Sequence, residues 1–397
     1  MVNAFNISHI GWNLPGGLRY NTITLYSTFL LKEHLTSMWR ISRLLIVFGM
    51  MLAGWLMFAR PVAAANCYYR SADVGYVCDS EPAPSIFVEP QPFLDSPIER
   101  ATYAHLQDMT NVYPQPSTAV PPSRNAGDGF LYVTVQAVEQ VGDETWYMIN
   151  PGEWVQSEDL ILVDKSEFTG FEVLAQPERL FGWMVADYWY SNEPGAEPAP
   201  GALKLPRYTF FEVYDAQEAD DGWIWYDIGN GRWMRQTYVS LVDPSPRPQE
   251  ISANEYWVEI DLYEQTFAAY QGDRMVYAGL VSSGLNRWPT NEGLFQVWDR
   301  QAATKMSGAE GKIDYYFIED VPNTMYFDDE IALHGAYWHD RFGYKHSHGC
   351  VNMPLRAAEW IYNWSENAPN DLWVYVHTSE PSHILHREDP QVRFAGG

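Results

Sequence analysis

One block of aromatic residues occurs twice in this chain. Trp146-Tyr147-Met148-Ile149, Gly152, Trp154 and Leu162-Val163-Asp164 return at a constant offset of 79 as Trp225-Tyr226-Asp227-Ile228, Gly231, Trp233 and Leu241-Val242-Asp243. A register kept without a gap over that span means two copies of one unit. Within each copy, short alternating stretches such as 131–135 and 210–214 are separated by Gly, Pro, Asn and Asp. That is the pattern of strands joined by turns, and it predicts two small β-barrels.

The two copies, at 99–166 and 177–245, resemble bacterial SH3-like wall-associated modules. The resemblance implies anchoring to the cell wall, with Trp146, Trp154, Trp225 and Trp233 as stacking surfaces. Packing makes the opposite demand on the same rings, because a barrel of about 70 residues needs large apolar side chains to be stable. Core is the stronger reading. Aromatic residues make up 15% of the chain, which supports a β class without choosing a ligand. The formal net charge of −26 argues against nucleic acid or an anionic membrane surface as partner.

The start of the chain reads as an address. From Met38 the sequence gives a basic stretch, an apolar run over 44–58 and Ala63-Ala64-Ala65, the order of a secretory signal peptide. Residues 1–65 are therefore an N-terminal extension and signal. The run is short of the ~20 residues that span a bilayer, and an uncleaved anchor is the alternative and the one contact with a membrane that the sequence offers. Export to the bacterial cell envelope follows. Cys67 and Cys78 stand close together just beyond the signal and can pair in an oxidising compartment, which leaves Cys350 as the odd thiol. The rest of 66–98 is rich in Pro and acidic residues and reads as an extended linker.

The chemistry concentrates downstream. His334, His339, His346, His348 and Cys350 lie within a short span, and Pro354 suits the first position of a helix with Leu355, Ala358, Ile361 and Tyr362 on its apolar face. This places Cys350 just ahead of a helix N-terminus, where the helix dipole and an imidazole lower a thiol's pKa. A nucleophilic cysteine is expected.

The pattern His334-Gly335, Trp338, then Ser347-His348-Gly349-Cys350-Val351-Asn352 resembles the signature of the L,D-transpeptidase catalytic domain, the YkuD-like family of peptidoglycan enzymes. The resemblance covers 250–378 and implies a mixed β-sheet domain with a short helix after the cysteine. Predicted strands at 256–262, 265–270, 274–281, 294–298, 314–318, 324–327 and 372–377 suit it. One departure is Pro289-Thr290-Asn291-Glu292-Gly293, where the family has a Thr-Pro-Thr-Gly type of turn. By resemblance, Cys350 is the nucleophile, His334 the base, and the Gly335 carbonyl orients the imidazole. Backbone N–H groups of His348, Gly349 and Cys350 form the oxyanion hole, Ser347 and Asn352 brace the loop, and Trp338 and Tyr316 wall the cleft.

The implied reaction takes a stem tetrapeptide of peptidoglycan as acyl donor and forms 3→3 cross-links, with no cofactor and no metal. Transfer to water instead gives an L,D-carboxypeptidase, and an inert domain gives a wall-binding protein. The five His and Cys side chains also offer ligands for zinc, but no partner cysteine or second ligand cluster accompanies them. The last residues, 379–397, form a polar tail without pattern.

Overall fold

Runs rich in Val, Ile, Tyr and Phe over residues 256–280 leave their strands no polar face to give to water, and both faces are covered. Tyr256–Asp261, Thr266–Gln271 and Arg274–Leu280 pair antiparallel in the order they are made. Trp373–His377 lies parallel to Tyr256–Asp261 and antiparallel to Gly293–Gln296, which closes one edge. At the other edge the sheet takes in Phe171–Val173 and Phe87–Val88, giving seven strands. The stretch read as a linker thus supplies a strand. Phe87 is buried against Phe181 and Phe210 at ring distances of 4.6 and 4.9 Å.

This computed structural model describes residues 67–71, 75–78, 86–93, 96–198, 200–312, 314–380 and 387. The chain forms two units, 1–83 and 84–397. In the first, Cys67–Ser71 and Gly75–Cys78 make a hairpin in which Cys67 is the Cα partner of Cys78. The segment expected to be the signal lies outside the described residues. Among the described residues no helix is long and apolar enough to cross a membrane.

A second seven-stranded sheet holds the site. Its order is Leu160–Leu162, Thr102–Leu106, Phe130–Val135, Tyr316–Asp328, Ile331–Gly335 and Val351–Met353, with Asp299–Gly308 paired to Tyr316–Asp328 off that path. Two stretches expected as separate strands, 314–318 and 324–327, are one strand of 13 residues. Pro322 and the positive φ angles of Asp320 and Asn323 hide its continuity in the sequence. Its hairpin partner Asp299–Gly308 has no fully buried residue and is mostly polar, so no apolar alternation marks it. The main core joins Val258, Ile260 and Phe267 of the first sheet to Leu333, Val351 and Met353 of the second. Ala358 and Ile361 of helix Leu355–Ser365 complete it, and burial of the Ile361 side chain is worth about 1.5–3 kcal/mol.

The repeat is visible in the structure element by element. Leu160–Leu162, Thr102–Leu106 and Phe130–Val135 correspond to Val239–Val242, Phe181–Met184 and Phe210–Glu212. Short 3-10 turns fall at the same place in each copy, Ser157–Asp159 and Gln236–Tyr238. Trp154 bridges to Tyr113 in one copy and Trp233 to Ser191 in the other. Trp146, Trp225 and Trp233 are buried, which agrees with the core reading, whereas Trp154 is half-buried. The copies differ in one consequential way. Among the described residues, only the first sends a strand, Phe130–Val135, to pair in parallel with Tyr316–Asp328.

Candidate active site

Two neighbouring parallel strands place the central residues. His334 sits in Ile331–Gly335 opposite Asn352 of Val351–Met353, and Cys350 precedes that second strand by one residue. Side chains alternate along a strand, so His334, Asn352 and Cys350 belong to one face. They line one cleft of about 830 Å³ together with Trp338, Tyr316 and His348. Phe130 from the first repeat also lines it, a contribution that follows from the parallel pairing and has no mark in the sequence.

His334 is 1% exposed, and its Nδ1 lies 3.1 Å from the carbonyl oxygen of Gly335. A carbonyl can only accept, so Nδ1 carries the proton and Nε2 is left as the basic nitrogen. Burial holds the His334 pKa down to about 4, partly offset by that hydrogen bond, and the ring is neutral at neutral pH. Trp338 lies beside it, with ring centroids 5.6 Å apart.

Cys350 departs from expectation in its electrostatics. Strand Val351–Met353 and Pro354 separate it from helix Leu355–Ser365, with Pro354 as N-cap rather than first helical residue. Cys350 therefore does not directly precede the helix N-terminus, contrary to the sequence expectation. Burial pushes the thiol up to about 11, the nearby Glu330 charge adds to this, and a hydrogen bond from the Ala332 backbone works against it. Sγ sits 3.6 Å from the Glu330 carbonyl oxygen. The resting pair is therefore a neutral thiol and a neutral imidazole.

The loop before Cys350 is fixed from several sides. Ser347 Oγ donates to the Cys350 carbonyl and accepts the Gly349 N–H at 3.1 Å. The Gly349 N–H, expected as an oxyanion donor, is thus already committed. No hydrogen bond from the Cys350 N–H is present among the described residues. Thr290, buried, donates its hydroxyl to the Gly349 carbonyl at 2.6 Å and accepts the Gly284 N–H at 2.9 Å. The Gly349 carbonyl and the Cys350 N–H are opposite ends of one planar trans peptide, so Thr290 aims that N–H. Gly349 has φ +126°, which explains the glycine. A Cβ on Gly284 would lie 2.2 Å from the Trp288 carbonyl oxygen.

The other histidines have distinct places. His348 lies between Trp288 and Tyr316, at ring distances of 3.8 and 5.0 Å, and burial holds its pKa down to about 4. Tyr316 is pushed up to about 12 by its burial and by Cys350. His339 is buried, and its Nδ1 accepts the Arg341 N–H at 3.1 Å, so Nε2 carries the proton. That nitrogen is 2.9 Å from the Asn352 amide, whose oxygen, turned toward it, accepts the ring N–H. His339 thereby braces Asn352, a role that the sequence does not distinguish from an ordinary loop histidine. The His346 ring lies tilted against that of His339, with centroids 4.1 Å apart, and lines the cleft. Among the described residues no group of three His, Cys, Asp or Glu is arranged to hold a metal ion.

A neutral imidazole and a thiol lining one cleft, a glycine-shaped turn and an aimed backbone N–H are the groups that acyl transfer through a cysteine requires. Residues 255–376 match the L,D-transpeptidase catalytic domain, YkuD, and this part of the chain is such a domain. YciB of Bacillus subtilis (strain 168), provisionally named an L,D-transpeptidase, is 26% identical over 164 residues, 38% of this chain and 80% of its own length. Among solved structures, an L,D-transpeptidase from Xylanimonas cellulosilytica DSM 15894 is 27% identical over 34% of this chain and 65% of its own, with a TM-score of 0.28. The Ldtfm carbamoyl enzyme formed with avibactam is 24% identical over 32% of this chain, with a TM-score of 0.29. The match spans half the length of that chain.

Proposed function

We propose that the chain is a peptidoglycan L,D-transpeptidase that forms 3→3 cross-links through an acyl-enzyme on Cys350. The observation that carries the reading is His334 Nδ1 held 3.1 Å from the Gly335 carbonyl, which leaves Nε2 as the basic nitrogen in the cleft that Cys350 also lines. The thiol is pushed up and the imidazole down, so proton transfer accompanies bond formation rather than preceding it. As Sγ attacks the carbonyl carbon of the third stem residue, its proton passes to His334 Nε2. The Cys350 N–H stabilises the oxyanion. Collapse breaks the bond to the terminal D-Ala, whose amine leaves with the proton from His334. The side-chain amine of a second stem then attacks the thioester, gives a proton to His334, and releases Cys350 as the new amide forms.

Ser347 and Thr290 hold the loop, Asn352 is braced by His339, and Trp338, Tyr316 and Phe130 wall the substrate cleft. The proposal includes export to the envelope, a Cys67–Cys78 bridge in the N-terminal hairpin, and two SH3-like modules that hold the catalytic domain against the wall. Incubation of the purified protein with a stem tetrapeptide, with products separated by mass, tests the reaction. Cross-linked dimer is the expected product. Tripeptide alone would make the protein an L,D-carboxypeptidase, and no product would leave a binding protein.

A further inference from the structure

Beyond position 378 the sequence reads as a polar tail, yet Arg387 is 1% exposed. Its Nη2 donates to Glu264 Oε2 at 2.9 Å and its Nη1 to the Val239 carbonyl at 2.9 Å, while the guanidinium lies 4.5 Å from the Tyr263 ring centroid. Glu264 Oε2 also accepts the Leu241 N–H at 2.9 Å. The side chain therefore ties the last strand of the second repeat to the turn between Tyr256–Asp261 and Thr266–Gln271. Burying and ordering a long charged side chain is costly, and what it fixes is instructive.

The carbonyl of Arg387 accepts the Lys345 N–H at 2.7 Å. Lys345 is itself 4% exposed, and its Nζ donates to Asn286 Oδ1 at 3.0 Å. The next two N–H groups, of His346 and Ser347, both donate to the Ser283 carbonyl, at 2.9 and 3.1 Å. Ser283 in turn is gripped by Gln265, the neighbour of Glu264, at 2.7 Å through its hydroxyl and 2.8 Å through its N–H. Two routes thus run from the guanidinium to the start of the loop that ends at Cys350.

We infer that Arg387 is a positioning residue: docking of its side chain fixes the main chain of Lys345 and thereby the placement of the 346–350 loop that carries Cys350. The rate of acylation then depends on a residue outside the matched catalytic domain, 255–376. The inference rests on Cys350 being the reacting group.

Full-length Arg387→Ala and Arg387→Lys test it through three readings: kcat and KM with a stem tetrapeptide, the pH profile of Cys350 alkylation by iodoacetamide, and thermal unfolding. Burial pushes Glu264 up to about 7 even with Arg387 opposing, so it can shed its charge when the guanidinium is removed, and Arg387→Ala is expected to fold. Should it not, Arg387→Met combined with Glu264→Gln leaves no buried charge and keeps an acceptor for the Leu241 N–H. The expected result is a kcat about tenfold to a hundredfold lower with KM little changed, an altered alkylation profile, and partial recovery in Arg387→Lys. Wild-type kcat and alkylation in a folded variant, or a change confined to KM or to thermal stability, would overturn it. Alkylation that responds to Arg387 while even the wild type shows no acylation would uphold this inference and sink the assigned reaction instead.

Discussion

Thr290→Val is the most informative small change in the molecule. Valine matches threonine in shape, so packing is kept while the hydroxyl is lost. Two hydrogen bonds disappear, to the Gly349 carbonyl at 2.6 Å and from the Gly284 N–H at 2.9 Å, and both partners are left in a buried place. An orphaned buried group costs about 1–3 kcal/mol, so the sum is about 2–6 kcal/mol. For the unit 84–397 that corresponds to a melting temperature lower by roughly 3–9 °C. The catalytic effect has a separate origin: without Thr290 the peptide between Gly349 and Cys350 is free to rotate, and the Cys350 N–H no longer points at the oxyanion. Losing an oxyanion donor outright costs about a hundredfold to a thousandfold in kcat, which is the upper bound here. Calorimetry and tetrapeptide turnover on Thr290→Val and Thr290→Ser measure both effects, and the serine variant is expected to recover most of each. A destabilised Thr290→Val with wild-type kcat would refute the aiming argument, and an unchanged melting temperature would refute the hydrogen-bond reasoning.

Gly349→Ala forces a side chain into φ +126° and should cost about 1–3 kcal/mol of strain, seen as lost turnover in a protein still folded by circular dichroism. Trp146→Ala, at a fully buried ring, should cost about 3–5 kcal/mol in denaturant unfolding, and the half-buried Trp154→Ala distinctly less; equal losses would contradict the burial difference. His334 titrates near 4 when folded and near 6.5 when unfolded, so the unfolded chain binds its proton first on acidification. Stability should therefore fall as pH drops from about 6.5 to about 4, and His334→Gln should flatten that slope in melting temperature against pH.

The fold was legible where burial is one-sided or complete. Strands Tyr256–Asp261 through Arg274–Leu280 and Trp373–His377 are apolar runs bounded by turns, and the sequence marks them within a residue or two. Asp299–Gly308 was illegible because it is mostly polar with no fully buried residue, and its pairing is decided by the partner strand. The repeat register was legible because the tryptophans are copied, but the pairing of Phe130–Val135 with Tyr316–Asp328 is a tertiary choice that no local pattern encodes. At the site, the motif identifies Cys350 and His334 as candidates. It does not reveal Thr290, Gly284 or Ser283, which act through hydrogen bonds to the main chain. Nor does it reveal the strand that separates Cys350 from the helix, since three residues of extended chain before a proline leave no trace in composition.

The central claim is a covalent one, and intact-protein mass spectrometry tests it directly. Protein quenched in acid during turnover of a stem tetrapeptide should carry one tripeptide acyl group, located on Cys350 by peptide mapping and absent from Cys350→Ala. Turnover without any adduct on Cys350, or turnover that survives in Cys350→Ala, would contradict the account.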